Sequence, residues 1–135
     1  MDDMILLGFF KQKKKNHISE GNLSSSLKWP DYIVNLDGKK FEEFIQKYPL
    51  SVVDFWASWC APCKAMTPRL RRLSNIYKGK VAFGKLNTQV NQDIAKQYKV
   101  MGIPHLVFFR HGKKIAALTG VKSVGDIKKV IEELL

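Results

Sequence analysis

The chain predicts an α/β domain with a central mixed β-sheet and helices on both of its faces. Three observations point there. Short β-rich runs alternate with stretches of helical periodicity in the order β-α-β-α-β-α-β-β-α, which places helices over a sheet. The run "LSVVDFWA" (50–57) is almost continuously apolar or aromatic, as a strand covered on both faces must be. The length of 135 residues, 45% of them hydrophobic, supplies one ordinary core.

The elements follow in order. "YIVNL" (32–36) reads as a strand. In 39–48, Phe41, Phe44, Ile45 and Tyr48 recur at helical spacing, and Pro49 ends that helix. The buried strand 50–57 comes next. A helix over 61–78 carries Pro62 in its first turn, where a missing N–H costs nothing, and Pro68 further in. "KVAFGKLN" (80–87) is a strand and 91–98 a helix. Residues 105–110 and 113–119 form a hairpin about "HG", and 123–135 close the chain as a helix, with Ser123 and Asp126 spaced as a capping box. Residues 31–135 make the domain, and residues 1–30 read as an N-terminal extension, flexible and with a Ser- and Gly-containing lead-in at 17–28.

Charge bounds the partners. There are 23 Lys/Arg against 12 Asp/Glu, and the excess lies in the domain: residues 1–30 hold five against three, residues 31–135 eighteen against nine. The cations are spread over every element, with "KQKKK" (11–15) the only dense run. Scattered solvated charge with no specific nucleic-acid site is therefore the main reading, a preference for acidic protein partners the next. "MILLGFF" (4–10) falls far short of the roughly 20 apolar residues a membrane span needs. Its charges stand in the reverse order of a secretory signal, so no targeting segment is expected, and membrane-surface contact by this tail is a minor alternative.

The chemistry concentrates in "DFWASWCAPCKAMTP" (54–68), which holds both cysteines of the chain. One C-x-x-C pair is too few for a disulfide-stapled secreted scaffold, and a bridge across so short a loop removes little chain entropy. Zinc needs two more ligands. Forty-one residues separate Cys63 from His105, and His17, His105 and His111 read as ordinary polar residues, so no metal is expected. A reactive thiol pair in a reducing compartment, the cytoplasm, fits better. The pair follows a buried strand and opens a helix, whose unpaired N–H groups and dipole favour a thiolate, with Lys64 adding positive charge. Cys60, at the cap and expected to be exposed, is then the nucleophile. Cys63, one turn in and shielded, is the resolving thiol. Asp54 sits between apolar neighbours in "VVDFW", where desolvation raises a carboxyl pKa, so it is the candidate proton acceptor for Cys63.

"VVDFWASWCAPCK", "GKLN" (84–87), "MGIPHLVFFRHGK" (101–113) and "TGV" (119–121), in that order, resemble the thioredoxin family over residues 31–135. The resemblance implies the thioredoxin fold, with Lys85 beside the buried Asp54. It implies a cis peptide bond before Pro104, facing Cys60, and an Ile103 backbone that pairs with an extended substrate strand. Trp59, Ala61, Pro62, Ile103, Gly120 and Val121 would form the substrate-docking surface, and Pro68 would bend its helix. The implied activity is general protein-disulfide reduction by a monomer that binds no cofactor. Its partners would be disulfide-containing proteins and a flavin-dependent thioredoxin reductase that supplies electrons. Ala61 stands where the family usually has Gly, His105 where Thr is common and Gln89 where an acidic residue is frequent; the extension has no counterpart in a minimal member. A disulfide oxidase or isomerase is disfavoured by Pro62 in place of the usual His; an exported relative, some of which also carry W-C-x-P-C, is disfavoured because no export signal, anchor or inserted element is expected. A thioredoxin-fold binding module with incidental thiols is disfavoured by the intact Cys60, Cys63, Asp54 and Pro104.

Overall fold

In the computed structural model of the chain, which describes residues 27–135, the sheet is organised around β2 (Ser51–Trp56). Ser51 through Phe55 are all buried, because β2 is paired on both edges and packed on both faces. On one edge it runs parallel to β3 (Ala82–Asn87), with Asp54 opposite Lys85; on the other it runs antiparallel to β4 (His105–Arg110), with Phe55 opposite His105. β1 (Val34–Leu36) adds parallel to β3, and β5 (Lys113–Thr119) antiparallel to β4, giving the order β1-β3-β2-β4-β5. The mixed sheet matches the sequence reading.

Alternation along the strands sorts the core into two layers. Val53, Phe55, Leu86, Val107 and Phe109 face one side and pack against Phe41, Phe44 and Ile45 of α1 (Gly38–Lys47) and Ile94 of α3 (Gln92–Gln97). Val52, Phe83, Leu106 and Phe108 face the other side, against Met66, Leu70 and Leu73 of α2 (Ala61–Ile76) and Ile127 and Ile131 of α4 (Val124–Leu134). Asp54, one residue from Val53 and two from Val52, points with the second set toward α2. No helix among the described residues is long and apolar enough to cross a membrane.

The observed boundaries are tighter than the periodicity suggests, for local reasons. Tyr32 and Ile33 lie outside β1, which finds only Gly84 to Leu86 of β3 as partners. The helix expected to run to residue 78 stops at Ile76, ahead of Gly79 at φ 82°, a left-handed turn suited to glycine. Asp37 caps α1 by accepting hydrogen bonds from the amides of Lys39 and Lys40, so the helix starts one residue earlier than the periodicity alone suggests. Ser123 caps α4 through the amide of Asp126 at 3.0 Å, as its spacing indicates. The apolar stretch 4–10, the lysine run 11–15, His17 and the lead-in up to residue 26 lie outside the described residues. Of the rest of the expected extension, Leu27 and Trp29 pack on the first core layer, Trp29 with its ring centroid 5.1 Å from that of Tyr48.

Phe41 is the centre of that layer, making edge-on contacts with Phe55, Tyr98 and Phe109 at centroid distances of 6.4, 5.6 and 5.8 Å. Phe41→Ala is expected to lower unfolding free energy by about 3–5 kcal/mol, since the three surrounding rings cannot collapse into the space. Urea denaturation monitored by tryptophan fluorescence checks this; a loss below about 1 kcal/mol would show that the layer repacks freely.

Candidate active site

Three strand ends converge on one edge of the sheet. β2 stops at Trp56, and the amide of Cys60 turns back to the carbonyl of Ala57 at 3.2 Å before α2 begins. Cys60 is the N-cap of α2, and its sulfur accepts the amide N–H of Cys63 at 3.2 Å. That is the position where a helix holds a negative charge on sulfur, with unsatisfied N–H groups and the positive end of the dipole converging there. Pro62 lies within the first turn, as its sequence position implies. Cys60 and Cys63 are joined in a disulfide with Cα atoms 5.3 Å apart.

The expectation that Cys60 is exposed is not met: Cys60 retains 2% of its accessible surface and Cys63 3%. The Ile103 carbonyl oxygen lies 3.9 Å from the Cys60 sulfur, and Ala57, Trp56 and Ile103 pack around the disulfide. Exposure therefore does not separate the two sulfurs in the oxidised state. The N-cap geometry does.

Beneath the pair lies a cavity of about 200 Å³ lined by Asp54, Trp56, Cys63, Lys64, Thr67 and Lys85. Asp54 is 4% exposed and its Oδ1 has no hydrogen-bond partner. Desolvation pushes its pKa up to about 7, while the nearby Lys85 charge pulls the other way. The Lys85 ammonium itself sits over the Trp56 ring, 5.2 Å from its centroid. The cavity is roomy enough for water, so Asp54 and Cys63 share a space through which a proton can pass.

On the other side of the disulfide, the Ile103–Pro104 peptide bond is cis and Pro104 is buried. The carbonyl of Pro104 accepts the amide of Gly120 at 2.8 Å, which binds the 101–104 and 119–122 loops together. Gly120 adopts φ 92° with no atom near an added Cβ, so backbone conformation, not space, favours glycine there. Trp59 is 71% exposed, Ala61, Pro62 and Val121 are exposed, and Ile103 is half-buried. Asp54 and Lys85 thus share a cavity with Cys63, Ile103 packs on the disulfide, Trp59, Ala61 and Pro62 flank Cys60 in the chain, and Gly120 is bonded to Pro104.

Several contributors escaped the sequence reading. Ser58, just before Trp59, donates both its amide and its hydroxyl to Gln89 Oε1, each at 2.9 Å, tying the cysteine loop to the loop after β3. Met101 is 94% exposed at the entrance to the Ile103–Pro104 turn. His105 is buried, not a surface polar residue: its Nδ1 lies 2.8 Å from Thr119 Oγ1, its Nε2 is unpartnered, and burial lowers its pKa. Of these, Gln89 and His105 stand out in the sequence only as departures from the residues usual in the family it resembles. Among the described residues no three His, Cys, Asp or Glu side chains cluster in a way that could hold a metal.

A protein-family model for thioredoxin matches residues 32–133. The chain is 36% identical over 102 residues to a thioredoxin of Buchnera aphidicola, spanning 75% of this chain and 94% of that protein. It is 36% identical over 103 residues to a thioredoxin of Staphylococcus saprophyticus, spanning 76% and 98%. Among solved structures, a point-mutant thioredoxin from Halobacterium salinarum NRC-1 superposes with a TM-score of 0.73 at 27% identity, over 78% of this chain and 93% of that one.

The Asp54 shift carries a sign that stability must follow. Its carboxyl titrates at about 3.9 in an unfolded chain and about 7 here, so between those values the unfolded state has lost a proton that the folded state keeps. Unfolding free energy therefore falls as pH rises through that window, by roughly 4 kcal/mol in all, and levels off above it. Asp54→Asn is expected to match the parent near pH 4 and exceed it by up to that amount at pH 8. Urea midpoints of the oxidised proteins at the two pH values test this, and parallel curves would show Asp54 to be well solvated.

Proposed function

Since the chain belongs to the thioredoxin family, with Cys60 and Cys63 as its redox-active pair, we propose the following division of labour for its protein-disulfide reductase activity. It is a thiol-disulfide oxidoreductase, and the observation that carries the assignment of roles is the pair's position: one sulfur on the N-cap of α2, the other over the Asp54 cavity.

In the reduced state the Cys60 thiolate, stabilised by the start of α2, attacks one sulfur of a substrate disulfide. A Cys60–substrate mixed disulfide forms and one substrate thiolate leaves. Cys63 gives up its proton toward the Asp54 carboxylate, directly or through cavity water, and attacks the Cys60 sulfur. The second substrate thiolate leaves, and the Cys60–Cys63 disulfide remains. Two electrons have passed to the substrate. Lys85 holds Asp54 closer to its charged, proton-accepting form than burial alone would allow.

Trp59, Ala61, Pro62, Ile103, Pro104, Gly120 and Val121 receive the substrate. An extended chain laid against the Ile103 backbone brings its disulfide over Cys60, a one-strand form of β-augmentation. We assign the return of electrons to a flavin-dependent thioredoxin reductase, and the working state to a monomer in the cytoplasm, where a lone reactive pair with no structural disulfide suits reducing conditions.

Cys60→Ser is expected to abolish reduction of a protein disulfide, whereas Cys63→Ser should accumulate a covalent mixed disulfide visible by intact-mass spectrometry. Recovery of the adduct on Cys63 in the Cys60→Ser protein instead would reverse the order of attack. For the resolving step, the rate in the parent should rise with pH through about 7 as Asp54 ionises, and Asp54→Asn should lose that inflection and run slower at neutral pH by roughly tenfold to a hundredfold. Stopped-flow decay of the mixed disulfide across pH measures it; an inflection retained in Asp54→Asn would remove Asp54 from the proton path.

A further inference from the structure

Acidic residues are nearly missing from the middle of the chain. Between Phe55 and Gly125 there is one, Asp93, against thirteen Lys and Arg. This stretch includes every loop that surrounds the disulfide. Lys64 and Lys85 line the cavity beside Cys63. Lys99 is exposed at φ 52° on the turn leading to Met101 and Ile103. Lys122 follows Val121, its amide held by Met66 Sδ at 3.5 Å and its carbonyl by Arg69 Nη1 at 2.9 Å. Among the described residues none of these cations has a carboxylate within 4.0 Å; the one ion pair there is Lys78–Asp31 at 3.9 Å.

The exposed carboxylates at this end are Asp37, Asp93 and Asp126, and each caps or lies in the first turn of a helix, where the positive end of the dipole partly offsets it. Glu132 and Glu133 sit at the far end of α4. Lys64 and Lys85 thus border the cavity beside the disulfide, and Lys99 and Lys122 lie in the two segments that carry Ile103–Pro104 and Gly120–Val121, close in the chain to exposed Met101 and Val121.

We propose that this end selects acidic disulfide-bearing polypeptides, whose Asp and Glu residues flanking the disulfide meet Lys64, Lys99 and Lys122 while the apolar centre seats the disulfide itself. The inference rests on the reductase reading and adds a substrate class to it. Polypeptide is favoured over nucleic acid because the cations lie beside exposed apolar residues and a redox pair that acts on protein disulfides. Charges placed this way act mainly on encounter, and do so within a Debye length of about 30 Å at 10 mM ionic strength and about 3 Å at 1 M.

The test uses the pre-reduced full chain in single turnover against three disulfide peptides that differ only in acidic, neutral or basic flanks. Each turnover oxidises the Cys60–Cys63 dithiol and reduces the peptide disulfide to two thiols, so no electron donor is needed. At about 10 mM ionic strength the acidic peptide should react at least about tenfold faster than the basic one, and at about 1 M the two should agree within about twofold. At about 0.1 M ionic strength, where the Debye length of about 10 Å separates the site from the far hairpin, Lys99→Glu with Lys122→Glu should erase the preference that remains. Lys113→Glu with Lys114→Glu, an equal charge change on the distant hairpin, should keep it. Equal low-salt rates for the three peptides overturn the proposal, as does loss of the preference in the hairpin variant alone. Inhibition of neutral-peptide reduction by a single-stranded DNA oligonucleotide at physiological salt overturns it in favour of a nucleic-acid surface. A protein that reduces none of the peptides fails as a reductase, a result distinct from any of these.

Discussion

The pairing of β2 on both of its edges is the constraint from which the site follows. With β3 bonded on one side, β4 on the other and helices packed on both faces, the strand is fixed in the sheet and Ser51 through Phe55 are buried. A polar residue placed in such a strand has to be buried, and Asp54 is. The same strand then ends abruptly at Trp56, so the chain leaves the sheet and restarts as α2 at a fixed distance from the buried carboxyl. The cysteines are positioned by that exit. Their local geometry, sulfur on the N-cap and amide of Cys63 beneath it, is an ordinary helix start with thiols in place of a serine.

Two opposed electrostatic environments are stacked along this axis. At the cap, helix amides and nearby lysines favour negative charge on sulfur. One layer down, desolvation disfavours negative charge on Asp54, with Lys85 only partly restoring it. A thiol that must be anionic to attack thus stands above a carboxyl that holds its proton until near neutrality. The gap between these preferences gives the two sulfurs different chemistry even though the oxidised structure buries both equally. The burial of Asp54 costs stability above its shifted pKa, which is the expected mark of a residue kept for function and not for the fold.

Much of this was legible in the sequence because the signals were local. The order of elements, the two-faced burial of β2, the thiols at a helix start and the desolvation of Asp54 all follow from residues within a few positions of one another. What was not legible depended on contacts across the sheet edge. The burial of Cys60 comes from Ile103, 43 residues away, and the clamp of Ser58 onto Gln89 spans 31. His105 reads as polar, yet its place opposite Phe55 and its bond to Thr119 draw it into the core. Neither periodicity nor composition reports which loops meet.

Those loop contacts bear on how rigid the docking surface is. The Ser58–Gln89 clamp holds the segment before Trp59 against the end of β3, and the Gly120–Pro104 bond joins the two loops on the opposite side. The Gly120–Pro104 bond is backbone at both ends and does not depend on a side chain, whereas the Ser58 clamp holds through the Gln89 side chain. Trp59, Met101 and Val121 are exposed on the segments that these bonds hold, as is Val90 next to Gln89. A rigid backbone frame carrying a few adaptable apolar side chains suits a surface that must accept many sequences. Such a surface discriminates little by shape, which is why the proposed discrimination is by the sign of the charge on the polypeptide around the disulfide.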